Sequence, residues 1–241
     1  MQTVTQSFRL LWSALFLEEA AYATMSKIEG PVKKGLVILI ILGLALGVAG
    51  FISASLEWAS SPSLNAIKET VEEINQQSPW WQFMEQDPEA LAMFEQIWDQ
   101  VWQIVGFMVP SPASSLSGLI ARPLGLIISW LIFGLVLHLF ARWLGGTAAL
   151  GQTLGATSLA AAPQLLGLVA ALPFVVVAGI GVWTLLCRYM AVRVTHELSW
   201  ARAVWAVLLA FLLLIFLGFI LAFGLGILFG YGLAATFGGG L

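Results

Sequence analysis

Long apolar segments almost free of charge constrain this chain more than any other feature of its sequence. A helix apolar on every side has no face to turn to water, whereas lipid solvates all of it. About 20 such residues, rising 1.5 Å each, cross a hydrocarbon core of about 30 Å. Of the 241 residues only 10% are charged, against about 25% in a soluble domain. The sequence therefore predicts an all-α, polytopic membrane helix bundle with five transmembrane helices.

Residues 1–34 precede the first span. Phe8, Leu11, Trp12, Leu15 and Phe16 recur at intervals of three and four, which predicts a short amphipathic helix. It either lies flat at the membrane interface, with Trp12 as an anchor, or packs against the bundle. The apolar stretch that follows is too long for a signal-peptide core and lacks a small-residue cleavage pattern, so it reads as a retained span. That span covers 35–56, where Gly43, Gly47 and Gly50 place small residues near one face for close helix approach.

Residues 57–118 hold nine of the thirteen acidic residues and a single lysine, Lys68. Ser61-Pro62, Ser78-Pro79 and Asp87-Pro88-Glu89 each set a capping side chain before a proline suited to the first helical turn. Downstream, Leu91, Phe94, Trp98, Val101, Trp102 and Val105 form an apolar stripe. It predicts an amphipathic helix whose Trp98 and Trp102 either anchor at the headgroup level or pack on the protein itself. Pro110 and Pro112 end the segment.

Residues 119–230 divide into four further spans, near 119–140, 152–171, 173–194 and 203–229. The first of them contains His138 near its end, and the second contains Pro163. A glycine-rich tail, 231–241, closes the chain. With the N-terminus in the cytoplasm, Arg9, Lys27, Lys33, Lys34, Arg142, Arg188, Arg193 and Arg202 fall on or near the cytoplasmic side. Only Lys68 and Arg122 fall outside. The opposite orientation inverts this bias, so the positive-inside rule predicts a cytoplasmic N-terminus, an extracytoplasmic C-terminus and an extracytoplasmic acidic loop.

The polar residues that could carry function gather at the cytoplasmic face. His138 and Arg142, four apart, share a helix face and lead into Gly145-Gly146. Arg193, His196, Glu197 and Arg202 lie around the loop before the last span. Arg188 sits roughly 9 Å inside the end of the fourth span. A centred arginine costs about 2.5–3.5 kcal/mol on insertion scales. Arg188 therefore either snorkels to the interface or meets a buried acceptor or an anionic headgroup; the spans offer it no carboxylate. Gln164, beside Pro163, is the other polar candidate at membrane depth, suited to helix–helix hydrogen bonding. Cys187 reads as a buried apolar filler.

Neither histidine has a second ligand at metal spacing, and His196-Glu197 reads as part of a solvated connecting loop. No Gly-x-Ser-x-Gly elbow, phosphate-binding glycine loop or intramembrane aspartate pair is present. No catalytic, cofactor or metal residue is assigned, and no basic block suits nucleic acid.

Residues 119–230 resemble the Yip domain of the Ypt-interacting-protein family, in its bacterial form. The resemblance rests on the order of features. Ala141-Arg142-Trp143-Leu144-Gly145-Gly146 ends one span, and Gln152 to Pro163 makes a span with a mid-helix proline. Val194-Thr195-His196-Glu197-Leu198-Ser199-Trp200-Ala201-Arg202-Ala203 then precedes a last long span. The chain has Ser158-Leu159-Ala160-Ala161-Ala162 where the family often carries a tyrosine. The resemblance implies five spans and a cytoplasmic N-terminus, and it supplies no catalytic residues. Its eukaryotic members are associated with small GTPases of membrane traffic and with membrane shaping.

The expectation is a non-enzymatic scaffold or accessory subunit of the bacterial cytoplasmic membrane, binding lipids and other membrane proteins or a second copy of itself. The alternatives are a small-solute or lipid transporter using the cleft at Pro163 and Gln164, and an enzyme acting on lipid headgroups through His138, Arg142, His196 and Glu197.

Overall fold

The computed structural model describes residues 2–109 and 115–237; the stop at Pro110 and Pro112 and the last four residues of the tail lie outside it. All regular structure among the described residues is helical. The elements are α1 (Gln2–Leu15), α2 (Glu19–Lys27), α3 (Pro31–Ser60), α4 (Leu64–Gln76), α5 (Pro79–Met84), α6 (Pro88–Met108), α7 (Gly118–Trp143), α8 (Leu150–Ser158), a 3-10 helix (Leu159–Ala171), α9 (Ile180–His196) and α10 (Trp200–Phe237). Among the described residues three helices are long and apolar enough to cross a membrane: Pro31–Ser60, Gly118–Trp143 and the Trp200–Leu228 portion of α10.

The expected third and fourth spans take other forms. The segment expected as one α-helix over 152–171 is α-helical only to Ser158 and then continues as 3-10 helix. Thr157 and Ser158 donate their hydroxyls three residues back, to Leu154 O (3.2 Å) and Gly155 O (2.7 Å). Such back-bonding competes with regular helical pairing. Pro163, lacking an N–H and pushing its predecessor from the α region, prevents the α-helix from resuming. The fourth segment is helical only from Ile180, after Gly179 in the left-handed conformation (φ 82°), and ends at His196 rather than Val194.

The chain forms two compact units: residues 1–44, 122–167 and 177–241 in one, and 45–121 and 168–176 in the other. In the first, α1 buries Leu10, Leu11, Ala14 and Leu15 against α2, Ile38, the α8 and 3-10 segment, and α9. The opposite face of α1 leaves Phe8, Trp12 and Phe16 more than half exposed. These three form a ladder, with ring centroids 6.2 and 5.5 Å apart. The helix thus has both faces that its sequence suggested, one packed and one aromatic and exposed.

The carbonyls at the end of α1, which no further turn can satisfy, are taken up by side chains. Tyr22 Oη donates to Ala14 O at 3.0 Å, and Trp183 Nε1 donates to Leu15 O at 2.7 Å. Burial, with the Cys187 thiol beside it, holds the Tyr22 phenol well above its ordinary pKa. A second cluster joins α7, α9 and α10 through Phe133, Leu137, Ala141, Val192, Ala203, Ala206 and Ala210.

In the second unit the capping signals are realised in part: Pro79 opens α5, but the Ser78 hydroxyl donates back to Asn75 O instead of capping that helix. Ser63, not Ser61, caps α4 by accepting from Ala66 N, and Asp87 caps α6 by accepting from Glu89 N and Ala90 N. Trp98 and Trp102 lie in an aromatic cluster with Trp80, Trp81 and Phe94. Trp98 Nε1 donates to Glu72 at 3.0 Å. The exposed apolar face of α6 is a different one, formed by Met93, Ile97, Val101 and Ile104. Lys68 bridges to Asp99 (2.8 Å) and Glu72 (3.7 Å), tying α4 to α6.

Of the three glycines on the small face of α3, Gly43 lies directly against the Pro123 backbone of α7, whereas a Cβ at Gly50 meets nothing within 4 Å. Gly43→Ala is expected to destabilise the detergent-solubilised protein by about 1–3 kcal/mol through overpacking. Gly50→Ala should be neutral or stabilising by up to about 1 kcal/mol. Thermal unfolding of both variants checks this, and equal effects would contradict the close contact.

Candidate functional site

The α7–α8 connection and the end of α9 assemble the polar site. Helix α7 ends with Gly146 N bonding Ala141 O at 2.8 Å, a closure that uses Gly145 in the left-handed region (φ 96°). Arg142 then fastens the loop by donating Nη1 to Gly146 O (3.3 Å) and Thr147 O (3.2 Å). Gly146 sits so close to the His196 ring that a Cβ there would collide with Nδ1 and approach Ala141 O to 2.8 Å.

Thr153, one turn into α8, joins the two histidines. Its Oγ1 lies 2.8 Å from His138 Nδ1 and 2.8 Å from His196 Nε2, and 3.3 Å from Ala149 O. A hydroxyl has one proton. Whichever acceptor takes it, at least one imidazole must present an N–H to Thr153. The ring centroids are 5.3 Å apart. His196 is 1% exposed, and its Nδ1 has no hydrogen-bond partner. Burial, reinforced by His138 and Arg142, pushes its pKa down to about 4. The sequence placed His196 in a solvated loop. The structure buries it instead, because α9 continues two residues past the expected end and carries the ring under Gly146.

Glu197 does not join this cluster. It is exposed and closes α9 in the left-handed conformation (φ 55°), its N–H bonding Arg193 O. Arg193 pairs with Glu19 at 3.1 Å, linking α9 to α2. Arg202 lies beside Gly145, where a Cβ would stand 3.3 Å from Nη1. Arg188 is separate from the histidines: its guanidinium carbon lies 3.6 Å from the centroid of the Phe133 ring. It lines a cavity with Gln164. His138, Arg142, Gly145, Gly146, His196 and Arg202 therefore meet, while Arg188 with Gln164, Arg193 and Glu197 do not.

Two residues escaped the sequence reading. Thr153 is a hydroxyl in a mostly apolar segment, and its distance from His138 and His196 in the chain hides the contact. Phe133 is indistinguishable by pattern from its lipid-facing neighbours. Chemically, the His138–Thr153–His196 set is a hydrogen-bonded latch between three helices. It lacks a carboxylate partner, and the described residues contain no group of three metal-binding side chains.

A family model, the Yip1 domain, matches residues 12–223, from within α1 to within α10. The chain belongs to the Yip1 domain family. No curated protein and no solved structure matches it. In this Yip1 domain Gly146, in the connection after α7, closes over the buried His196.

The low pKa sets the sign of a pH effect. An unfolded histidine titrates near 6.5 and the folded His196 near 4, so between these values the unfolded state binds more protons. Stability is expected to fall as pH drops from about 6.5 to about 4, by at most about 3 kcal/mol from this residue. His196→Gln should remove that part of the slope while lowering stability at neutral pH. Melting curves across the window check it; an unchanged slope in the variant would rule the residue out as its source.

Proposed function

We propose that this Yip1 domain protein is a non-enzymatic scaffold or accessory subunit of the bacterial cytoplasmic membrane, binding lipids and other membrane proteins. One observation carries the reading. The two histidines and Thr153 are turned inward on one another, while much of the outward surface is apolar helix. Only 17% of the most apolar stretch of α10 is buried. Phe216, Phe219, Leu221 and Phe223 are each more than 60% exposed on it. A latch of two histidines and a threonine holds helices together, and the outer surface is left for lipid and partner helices.

A five-crossing path with a cytoplasmic N-terminus accords with this reading. The eight-to-two bias of basic residues favours that orientation. Length permits it too. The α8 and 3-10 segments together rise about 40 Å, enough for a crossing, and α9 rises about 25 Å before its extended lead-in is counted. The exposed ladder of Phe8, Trp12 and Phe16 suits the interface on the cytoplasmic side. The enzyme reading loses its acid–base pair, since Glu197 is exposed and Nδ1 of His196 faces Gly146.

A tagged full-length protein, extracted in mild detergent, should co-purify reproducibly with one or more membrane proteins. Substituting the exposed face of α10, for example Phe219→Ser with Phe223→Ser, should reduce recovery of that partner several-fold without lowering the melting temperature of the Thr153 latch region. Isolation as a lone monomer under every mild condition, with solute flux in proteoliposomes, would instead favour a transporter.

A further inference from the structure

Arg188 has an unusual position. It lies mid-way along α9, in the segment expected as the fourth crossing, yet its guanidinium does not end in an ion pair. Among the described residues none of its N–H groups has a hydrogen-bond or salt-bridge partner, and its guanidinium carbon lies 3.6 Å from the centroid of the Phe133 ring. A guanidinium carries five donors in a fixed fork and keeps its charge. Left without a counter-charge at this depth, it is a strong site for an anion.

The space beside it is real and has a defined chemistry. A partly open cavity of about 60 Å³ is bounded by α3, α7, the α8 and 3-10 segment, and α9, with Arg188 and Gln164 in its lining. The Gln164 amide likewise makes no hydrogen bond to any described residue, so its N–H groups are free. The three hydroxyls in the same lining are already committed as donors: Ser129 to Leu126 O, Thr157 to Leu154 O and Thr184 to Ile180 O. Their remaining lone pairs can take water or a ligand hydroxyl. The uncommitted donors are thus the guanidinium fork and one amide, and no carboxylate lines the cavity. The volume holds about two waters, or a single tetrahedral oxyanion with its substituent leading out.

We propose that this cavity is a phosphate-binding site, with Arg188 as the charged fork and Gln164 as the second donor, occupied by the phosphate of a glycerophospholipid headgroup or by free phosphate. The planar fork matches two phosphate oxygens at once. The Phe133 ring, a cation–π contact 3.6 Å from the guanidinium carbon, offers the fork no acceptor. An arginine at this depth also draws headgroups and water inward by local thinning of the bilayer, so a lipid phosphate can reach it from the rim. The site rests on the membrane scaffold reading for its bilayer setting and names the lipid chemistry that such a scaffold would hold.

The test uses the full chain in micelles of a phosphate-free maltoside detergent, so that no other phosphate competes for the site. Phosphatidylglycerol is titrated in one arm and inorganic phosphate in the other, with melting temperature and native mass spectrometry as readouts. The wild type should show a saturable rise in melting temperature and retain one added ligand. Arg188→Gln should weaken that response at least tenfold, and Gln164→Leu, which keeps the cation, several-fold. Response to phosphatidylglycerol alone assigns the site to a headgroup; an equal response to inorganic phosphate assigns it to the free anion. If Arg188→Gln does not fold, Gln164→Leu decides. A response to neither probe, or one unchanged in the variants that fold, overturns the proposal. Absence of the lipid response in the wild type, with the protein partner still captured, defeats the pocket alone. Loss of the partner with the lipid response intact defeats the scaffold reading and leaves the pocket standing.

Discussion

In hydrocarbon a polar group has no water to fall back on, so each must find its partner inside the protein or be neutralised. This demand organises the first compact unit more than any apolar contact does. The end of α1 would leave bare carbonyls; Tyr22 and Trp183 supply donors to them from α2 and α9, and the Cys187 thiol adds a weak third at 3.6 Å from Ala14 O. Trp130 sends its indole N–H 2.9 Å to Leu154 O, across from α7 to α8. The 3-10 helix begins where Thr157 and Ser158 turn on their own backbone. A thirteen-residue 3-10 run is long for this conformation. Its alanines favour an α-helix on propensity alone, so of this run only Pro163, which removes an N–H, and Gly167 weigh against one.

The same demand separates what the sequence could reveal from what it could not. Charge density and unbroken apolar length made α3, α7 and α10 legible, because a long uncharged helix has one solvent available to it. Their ends lie within four residues of the expected limits at every terminus except the described end of α10, which runs to Phe237. The third segment was read as one crossing because apolar periodicity cannot distinguish α from 3-10 helix; the difference lies in two hydroxyls and one proline. The helix starts in the acidic stretch were legible to within two residues, since a cap side chain and a proline act locally.

The site was legible in its parts and not in its assembly. His138 with Arg142, and Gly145 with Gly146, are neighbours along the chain, so their proximity followed from helix geometry. What brings His196 to them is Thr153, 43 residues away, and a hydrogen bond across that separation leaves no mark on local pattern. Trp98 and Trp102 illustrate the complementary failure. A tryptophan stripe suits a headgroup belt and an aromatic cluster equally; Glu72 of α4 captures the Trp98 N–H, whereas Trp102 Nε1 is buried with no partner among the described residues. Exposure passed instead to Met93, Ile97, Val101 and Ile104, residues with no N–H to satisfy.

Between helices in lipid the hydrophobic effect offers little, because tails are as apolar as leucine, so closeness of approach takes over. That is why the decisive residues of this packing are small. Gly43 admits Pro123, Gly155 admits Pro31, and Gly146 admits the imidazole of His196. In the first two, the absent Cβ lets one backbone lie on another and gains dispersion along the whole contact. In the third it does something different. It places a backbone wall against one face of a buried titratable ring, stripping its environment of water and keeping the ring neutral. A neutral ring can share the single Thr153 proton with His138; a charged pair at the same distance would repel and open the joint between α7, α8 and α9. The glycine at 146 is therefore as much an electrostatic device as a steric one, and the connection between α7 and α8 depends on a side chain that is not there.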